Sequence, residues 1–167
     1  MRGQDQPPAP LADASAFRFA VIVSRFNETI TGSLRDAATA ALQEAGASTV
    51  QVLEVPGAFE IPQAARAAAE SGRFDAIVCL GCIIRGETPH FDYIASAVAH
   101  GITDAAGDTG VPMAFGVLTT DTMEQAAARS GPGPDNKGRD AAAAAIEMSH
   151  LYRSLSGPSN RPFGFRV

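Results

Sequence analysis

Residues 76–93 read AIVCLGCIIRGETPHFDY, and the order of events along them decides the fold. Ala76, Ile77, Val78, Cys79 and Leu80 form an unbroken apolar run, the pattern of a strand buried on both faces in a parallel sheet. A glycine-flanked turn carrying Arg85, Thr88 and His90 follows. Phe91, Ile94, Ala95, Val98 and Ile102 then take the spacing of one helix face. Strand, turn and helix in that order put the turn at the carboxyl end of a sheet strand, where open α/β folds bind small ligands. Thr88 is read as the N-cap of the helix and Pro89 as its first residue, where a missing N–H costs nothing. The free N–H groups of that first turn suit an anion. His90 stands beside them with a side chain that moves protons near neutral pH. The alternative is that it packs or caps at the helix start, since a lone histidine is more often structural than catalytic. An anion cradle with an acid–base group at its lip points to a small phosphorylated substrate.

Working outward, residues 17–24 (FRFAVIVS) form another strand apolar on both faces, and residues 49–55 and 113–118 form two more. Leu34, Ala37, Ala38, Ala41, Leu42 and Ala45 mark a helix closed by Gly46. Pro56 and Gly57 turn the second strand into a helix running to Ser71, with Pro62 tolerable only in its first turn. Asp121 with Glu124 is read as capping a short helix through Arg129. A Gly/Pro-rich loop, 130–136, leads to a last helix whose apolar face is read as Ala141, Ala144, Ala145, Met148, Leu151, Tyr152 and Leu155. Residues 1–15 are expected to be a mobile arm, 16–155 a single domain, and 156–167 an irregular tail. Alternating strands and helices imply right-handed parallel βαβ units, giving a four-stranded parallel sheet with helices on both faces. The strand ends near 24–27, 55–59 and 80–85 then share one edge, so residues distant in sequence can line one pocket.

The bulk composition narrows the classes. Of 167 residues, 46% are hydrophobic and 19% charged, the balance of a folded globular chain. A net charge of −5 argues against nucleic-acid binding, which needs clustered Lys and Arg. No apolar run approaches the roughly 20 residues of a membrane span. The N-terminal stretch MRGQDQPPAPLADAS lacks the apolar core of a secretory signal, so a cytoplasmic location is expected. Cys79 and Cys82 make a lone C-x-x-C with no second ligand pair and fall on opposite faces of a strand, so they read as buried thiols and no metal is expected. Neither a G-x-x-x-x-G-K-[ST], a G-x-G-x-x-G nor a G-x-S-x-G occurs.

Four further positions carry open alternatives. Phe26, just past the first strand, is either a core plug or a face for stacking on a planar heterocycle. Glu60 either complements a helix dipole or accepts hydrogen bonds from a polyol or amide, with the Ala58–Glu60 backbone lining a cleft. Arg129 and Lys137 flank the Gly/Pro loop and either favour helix dipoles or reach a phosphate, Asp140 being able to hold either. His100 and His150 lie within helix patterns, without chemical neighbours, as surface or interface residues.

Five segments in order carry a resemblance: RFN at 25–27, VPGAFEIP at 55–62, LGCIIRGETPHFDY at 80–93, FGVLTT at 115–120, and NKG at 136–138 followed by AIEM at 145–148. Together they resemble the 6,7-dimethyl-8-ribityllumazine synthase family of riboflavin biosynthesis, over about residues 19–155. The resemblance implies a three-layer, flavodoxin-like doubly wound sandwich. It also implies condensation of 5-amino-6-(D-ribitylamino)uracil with 3,4-dihydroxy-2-butanone 4-phosphate, with no cofactor or metal. A flavin- or lumazine-binding or shell-forming protein of the same fold without catalysis is the alternative, and the presence of both His90 and Arg129 argues against it. A receiver-type signalling module would need clustered acidic residues where Asn27, Glu60 and Arg85 stand.

The resemblance further implies roles by position. Phe26 would stack on the pyrimidine. Ala58, Phe59 and Glu60 would hold the ribityl chain, and Cys82, Ile83 and Ile84 would meet the pyrimidine edge through backbone groups. Glu87 and Thr88 would bind phosphate through N–H and hydroxyl, opposite Arg129 and within reach of Lys137. Glu87 would turn its carboxylate outward, away from the phosphate. His90 would transfer protons. Phe115 and Arg129 would come from a neighbouring subunit, because the family forms pentamers, some closing into icosahedral shells of sixty subunits. The short path from Arg129 to Lys137 favours a shell, while the GPGPDN of the loop differs from the usual shell-forming motif. Riboflavin synthase is the implied protein partner. The tail beyond Leu155 is longer than the family usually carries and takes no role.

Overall fold

The computed structural model describes residues 10–157. Its strands are β1 (Arg18–Ser24), β2 (Thr49–Val55), β3 (Ala76–Ile84) and β4 (Met113–Thr120), and its helices are α1 (Glu28–Glu44), α2 (Ile61–Glu70), α3 (His90–Thr109), α4 (Met123–Ser130) and α5 (Lys137–Leu155). A single 3-10 turn, Ala58–Glu60, precedes α2. The four strands are parallel in the order β2-β1-β3-β4. The chain steps one way from β1 to β2 and the other way to β3, so the switch point lies between the carboxyl ends of β1 and β3.

Alternation along the inner strands splits the interior into two apolar layers. Phe19, Val21, Val23, Val78 and Leu80 meet α1, α4 and α5, whereas Ala20, Ile22, Ile77 and Cys79 meet α2 and α3. The three-layer sandwich expected from the sequence is the architecture found. Gly138 sets the distance between two helices of one layer: a Cβ there would collide with the Leu34 carbonyl, so α5 lies directly against α1.

Several local expectations are corrected. β3 does not stop at Leu80. It continues through Gly81 to Ile84, paired with β4 as far as Ile84↔Thr120. Gly81 permits this, since a Cβ would stand 2.9 Å from Ile61 Cδ1 of α2. Thr88 is not the N-cap of α3: Pro89 holds that position, no side chain caps the helix, and His90 is its first residue. Thr122, not Asp121, caps α4, its Oγ1 accepting from the Gln125 N–H at 3.2 Å. The buried face of α5 is Gly138, Ala141, Ala142, Ala145, Ile146 and Ser149, while Ala144, Met148, Leu151 and Leu155 face outward. The alanine run 141–145 offers no contrast in size, so the larger residues misled the pattern.

The arm expected over 1–15 lies partly outside the described residues, as does most of the tail 156–167. Within the described part, Ala14 is already buried and donates its N–H to the Ala45 carbonyl at 2.8 Å. The Asp13 carbonyl lies 2.7 Å from His150 Nε2, so residues 13–15 belong to the folded body rather than to an arm. No helix among the described residues is long and apolar enough to cross a membrane.

Candidate active site

A cavity of about 400 Å³ opens at the switch point. Phe26 and Asn27 follow β1, Gly57 to Glu60 follow β2, Cys82 to Ile84 are the last rungs of β3, and Gly86, Thr88 and His90 lead into α3. Phe91 and Ile94 of α3 close the apolar side. Nine of the expected positions therefore converge: Phe26, Ala58, Phe59, Glu60, Cys82, Ile83, Ile84, Thr88 and His90.

Phe26 is 71% exposed and Phe59 58% exposed, so neither plugs the core; both line the cavity. Asn27 holds Phe26 in place. Its backbone is left-handed (φ 61°), a conformation asparagine tolerates better than most residues, and its Nδ2 donates to the Cys82 carbonyl at 3.0 Å. That bond ties the end of β1 to the wall formed by β3. Glu60 closes its own turn, Oε2 accepting the Gly57 N–H at 3.0 Å. Glu60 also lines the cavity, so the local and the ligand-binding readings of the residue are compatible.

Burial pushes the Cys82 thiol up to about 11 and Cys79 up to about 12, because a thiolate would lose its hydration there. Both stay neutral thiols at physiological pH, and they lie in opposite apolar layers. Among the described residues no group of three or more His, Cys, Asp or Glu side chains is placed to hold a metal.

The remaining expected residues lie elsewhere on the chain. Glu87 is exposed and outside the cavity lining. Phe115, 48% exposed, lines a separate cleft of about 220 Å³ between β4 and α5 together with Lys137, Asp140, Ala141 and Ala144. Lys137 Nζ meets Asp140 Oδ2 at 2.9 Å. Arg129, also exposed, donates from Nη1 to the Gln125 carbonyl of its own helix at 2.9 Å. Asn136 explains the rest of the NKG motif. It is buried, donates to the Ser130 and Gly131 carbonyls at 2.9 and 3.0 Å, and accepts the Gly138 N–H at 2.8 Å. The loop is thereby folded back so that Lys137 is displayed.

Asn27, Gly57, Gly86, Phe91 and Ile94 line the cavity but were not among the expected site residues. Asn27 had a readable signal, an asparagine between a strand and a helix, where a left-handed residue is often needed. The glycines contribute backbone alone and gave none.

A doubly wound sheet with an aromatic, a carboxylate and an imidazole at its switch point defines a small-molecule enzyme site of the open α/β class. Residues 16–153 match the family model described as 6,7-dimethyl-8-ribityllumazine synthase, and the chain belongs to that family. A 6,7-dimethyl-8-ribityllumazine synthase of Syntrophus aciditrophicus (strain SB) is 53% identical over 144 residues, covering 85% of this chain and 94% of that protein. Among solved structures, a GDP-L-fucose synthetase from Naegleria fowleri bound to NADP aligns with 93% of this chain and 50% of its own at 14% identity and a TM-score of 0.42, too distant to carry an argument.

Proposed function

We propose that this chain condenses 5-amino-6-(D-ribitylamino)uracil with 3,4-dihydroxy-2-butanone 4-phosphate to 6,7-dimethyl-8-ribityllumazine, phosphate and water. The observation that carries it is the convergence of Phe26, Glu60, Thr88 and His90 on one cavity, in a chain of this family. Phe26 stacks on the pyrimidine, and Cys82, Ile83 and Ile84 face its edge through backbone groups. The Cys82 carbonyl already accepts one bond from Asn27, leaving a single lone pair for ligand. Ala58, Phe59 and Glu60 receive the ribityl chain, Glu60 through the oxygen not used in its turn.

The amine and the ketone form an imine without strong activation, so holding them together supplies much of the acceleration. Elimination of phosphate is harder. It needs a proton taken next to the imine while the leaving group's charge is held. His90 takes the proton. Thr88 and the uncapped amides at the start of α3 hold the phosphate, with Glu87 contributing its N–H and not its carboxylate.

The cavity lining contains no Lys or Arg among the described residues, and a dianionic leaving group calls for one. Arg129 supplies it from a neighbouring subunit, with Phe115 and Lys137 of that subunit completing the wall. The working unit is thus a homopentamer, which can associate further into a sixty-subunit shell and accept riboflavin synthase as partner. A cytoplasmic location accords with soluble substrates. Mixing the purified protein with both substrates and following lumazine absorbance tests the activity: product formation is expected, and its absence would overturn the assignment.

A further inference from the structure

The phosphate-binding loop poses a mechanical problem that the proposed reaction does not answer. Residues 86–88 carry the amides meant for phosphate, yet none of Gly86, Glu87 or Thr88 takes part in a hydrogen bond with other described residues. Their N–H groups are open to a ligand because no other described residue uses them. Something else must fix where the loop runs.

Arg85, at the root of the loop, reaches across it to Asp121 and Asp92. Its own N–H donates to the Thr120 carbonyl at 2.9 Å, the last rung between β3 and β4. Its Nε donates to Asp121 Oδ1 at 2.8 Å, just beyond β4. Nη1 and Nη2 donate to the two oxygens of Asp92 at 3.3 Å each, in the first turn of α3. The guanidinium carbon stands 4.3 Å over the Phe91 ring, itself a wall of the cavity. Arg85 is not part of the cavity lining, so it is placed to orient rather than to bind.

Building on the proposed reaction, we infer that Arg85 is a positioning residue: its planar fork joins the β4–α4 turn to the first turn of α3 and so sets the places of Thr88 and His90. Both carboxylates are exposed, and exposed ion pairs contribute little to global stability. Geometry is another matter, since a shift of about 1 Å in a reacting group can cost on the order of 10²-fold in rate. Lysine keeps the charge but not the fork, so it should replace arginine only in part.

The test is steady-state kinetics and inorganic phosphate binding by calorimetry on full-length Arg85→Gln, Arg85→Lys, Asp121→Asn and the Arg85→Gln/Asp121→Asn double variant. For Arg85→Gln, kcat should fall on the order of tenfold or more and phosphate bind more weakly. The KM for ribitylaminouracil, held by the β1 and β2 walls, should stay within about twofold. Arg85→Lys should recover part of kcat, and the double variant should be no worse than the worse single one. Unchanged kcat and phosphate affinity in Arg85→Gln would overturn the inference, as would parallel losses toward both substrates accompanied by unfolding in both Arg85 variants. If the wild-type chain forms no lumazine, the assigned reaction fails, while the phosphate titrations still decide the role of Arg85.

Discussion

The cavity at the β1/β3 switch point and the cleft between β4 and α5 are each deficient where the other is supplied. The first has stacking faces, a carboxylate, an imidazole and free amides, but no cation in its lining. The second has an exposed Phe115 and a lysine beside an aspartate, but no imidazole in its lining. The cause is topological. β1 and β3 are inner strands, so loops from several elements crowd around their ends, whereas β4 is an edge strand flanked on one side only. The proposed site completes itself by setting one chain's edge against another chain's centre.

The strongest way to break this comparison is to remove the group the first cavity lacks. Arg129→Ala should lower kcat by roughly 10²- to 10³-fold, the range for deleting a stabiliser of developing negative charge. His90→Ala, which removes the imidazole proposed to transfer the proton, should cost about 10²-fold, the low end for acid–base catalysis because the reactants are intrinsically reactive. Particle size by light scattering should be unchanged, and unchanged turnover would remove His90 from the mechanism. Glu60→Gln should raise the KM for ribitylaminouracil about tenfold and leave that for the phosphate ketone alone, by weakening a charge-assisted hydrogen bond. A rise in both would mean that Glu60 acts only by closing its turn. Glu87→Gln sharpens the picture from the other side: KM for the phosphate ketone should barely change or fall, and a large rise would refute the outward carboxylate.

Where the structure is local in the chain, it was legible in the sequence. Ala76 to Leu80 announced a buried strand, and the turn after it announced an edge of the cavity, because strand, turn and His90 follow one another directly. Even there the details moved: Gly81 hides the continuation of β3, since a lone glycine inside an apolar run reads as a stop. Asp121 and Thr122 are both competent caps, and only the structure shows Asp121 engaged with Arg85 instead. The outward face of α5 was misassigned because Met148, Leu151 and Leu155 outweigh alanines on any apolar scale. The Arg85 clamp was invisible, for its partners stand 7 and 36 residues away and no pattern in the sequence pairs them.

The proposal of a site shared between subunits is tested most directly by complementation. Oligomers of Arg129→Ala and of His90→Ala, each nearly inactive, are dissociated, mixed in equal amounts and reassembled. Sites that draw His90 from one variant and Arg129 from the other are intact, so about a quarter of wild-type activity should return by random assortment around a ring. Reassembled mixed oligomers that stay as inactive as their parents would show that both groups serve the same chain's cavity, or no common cavity at all.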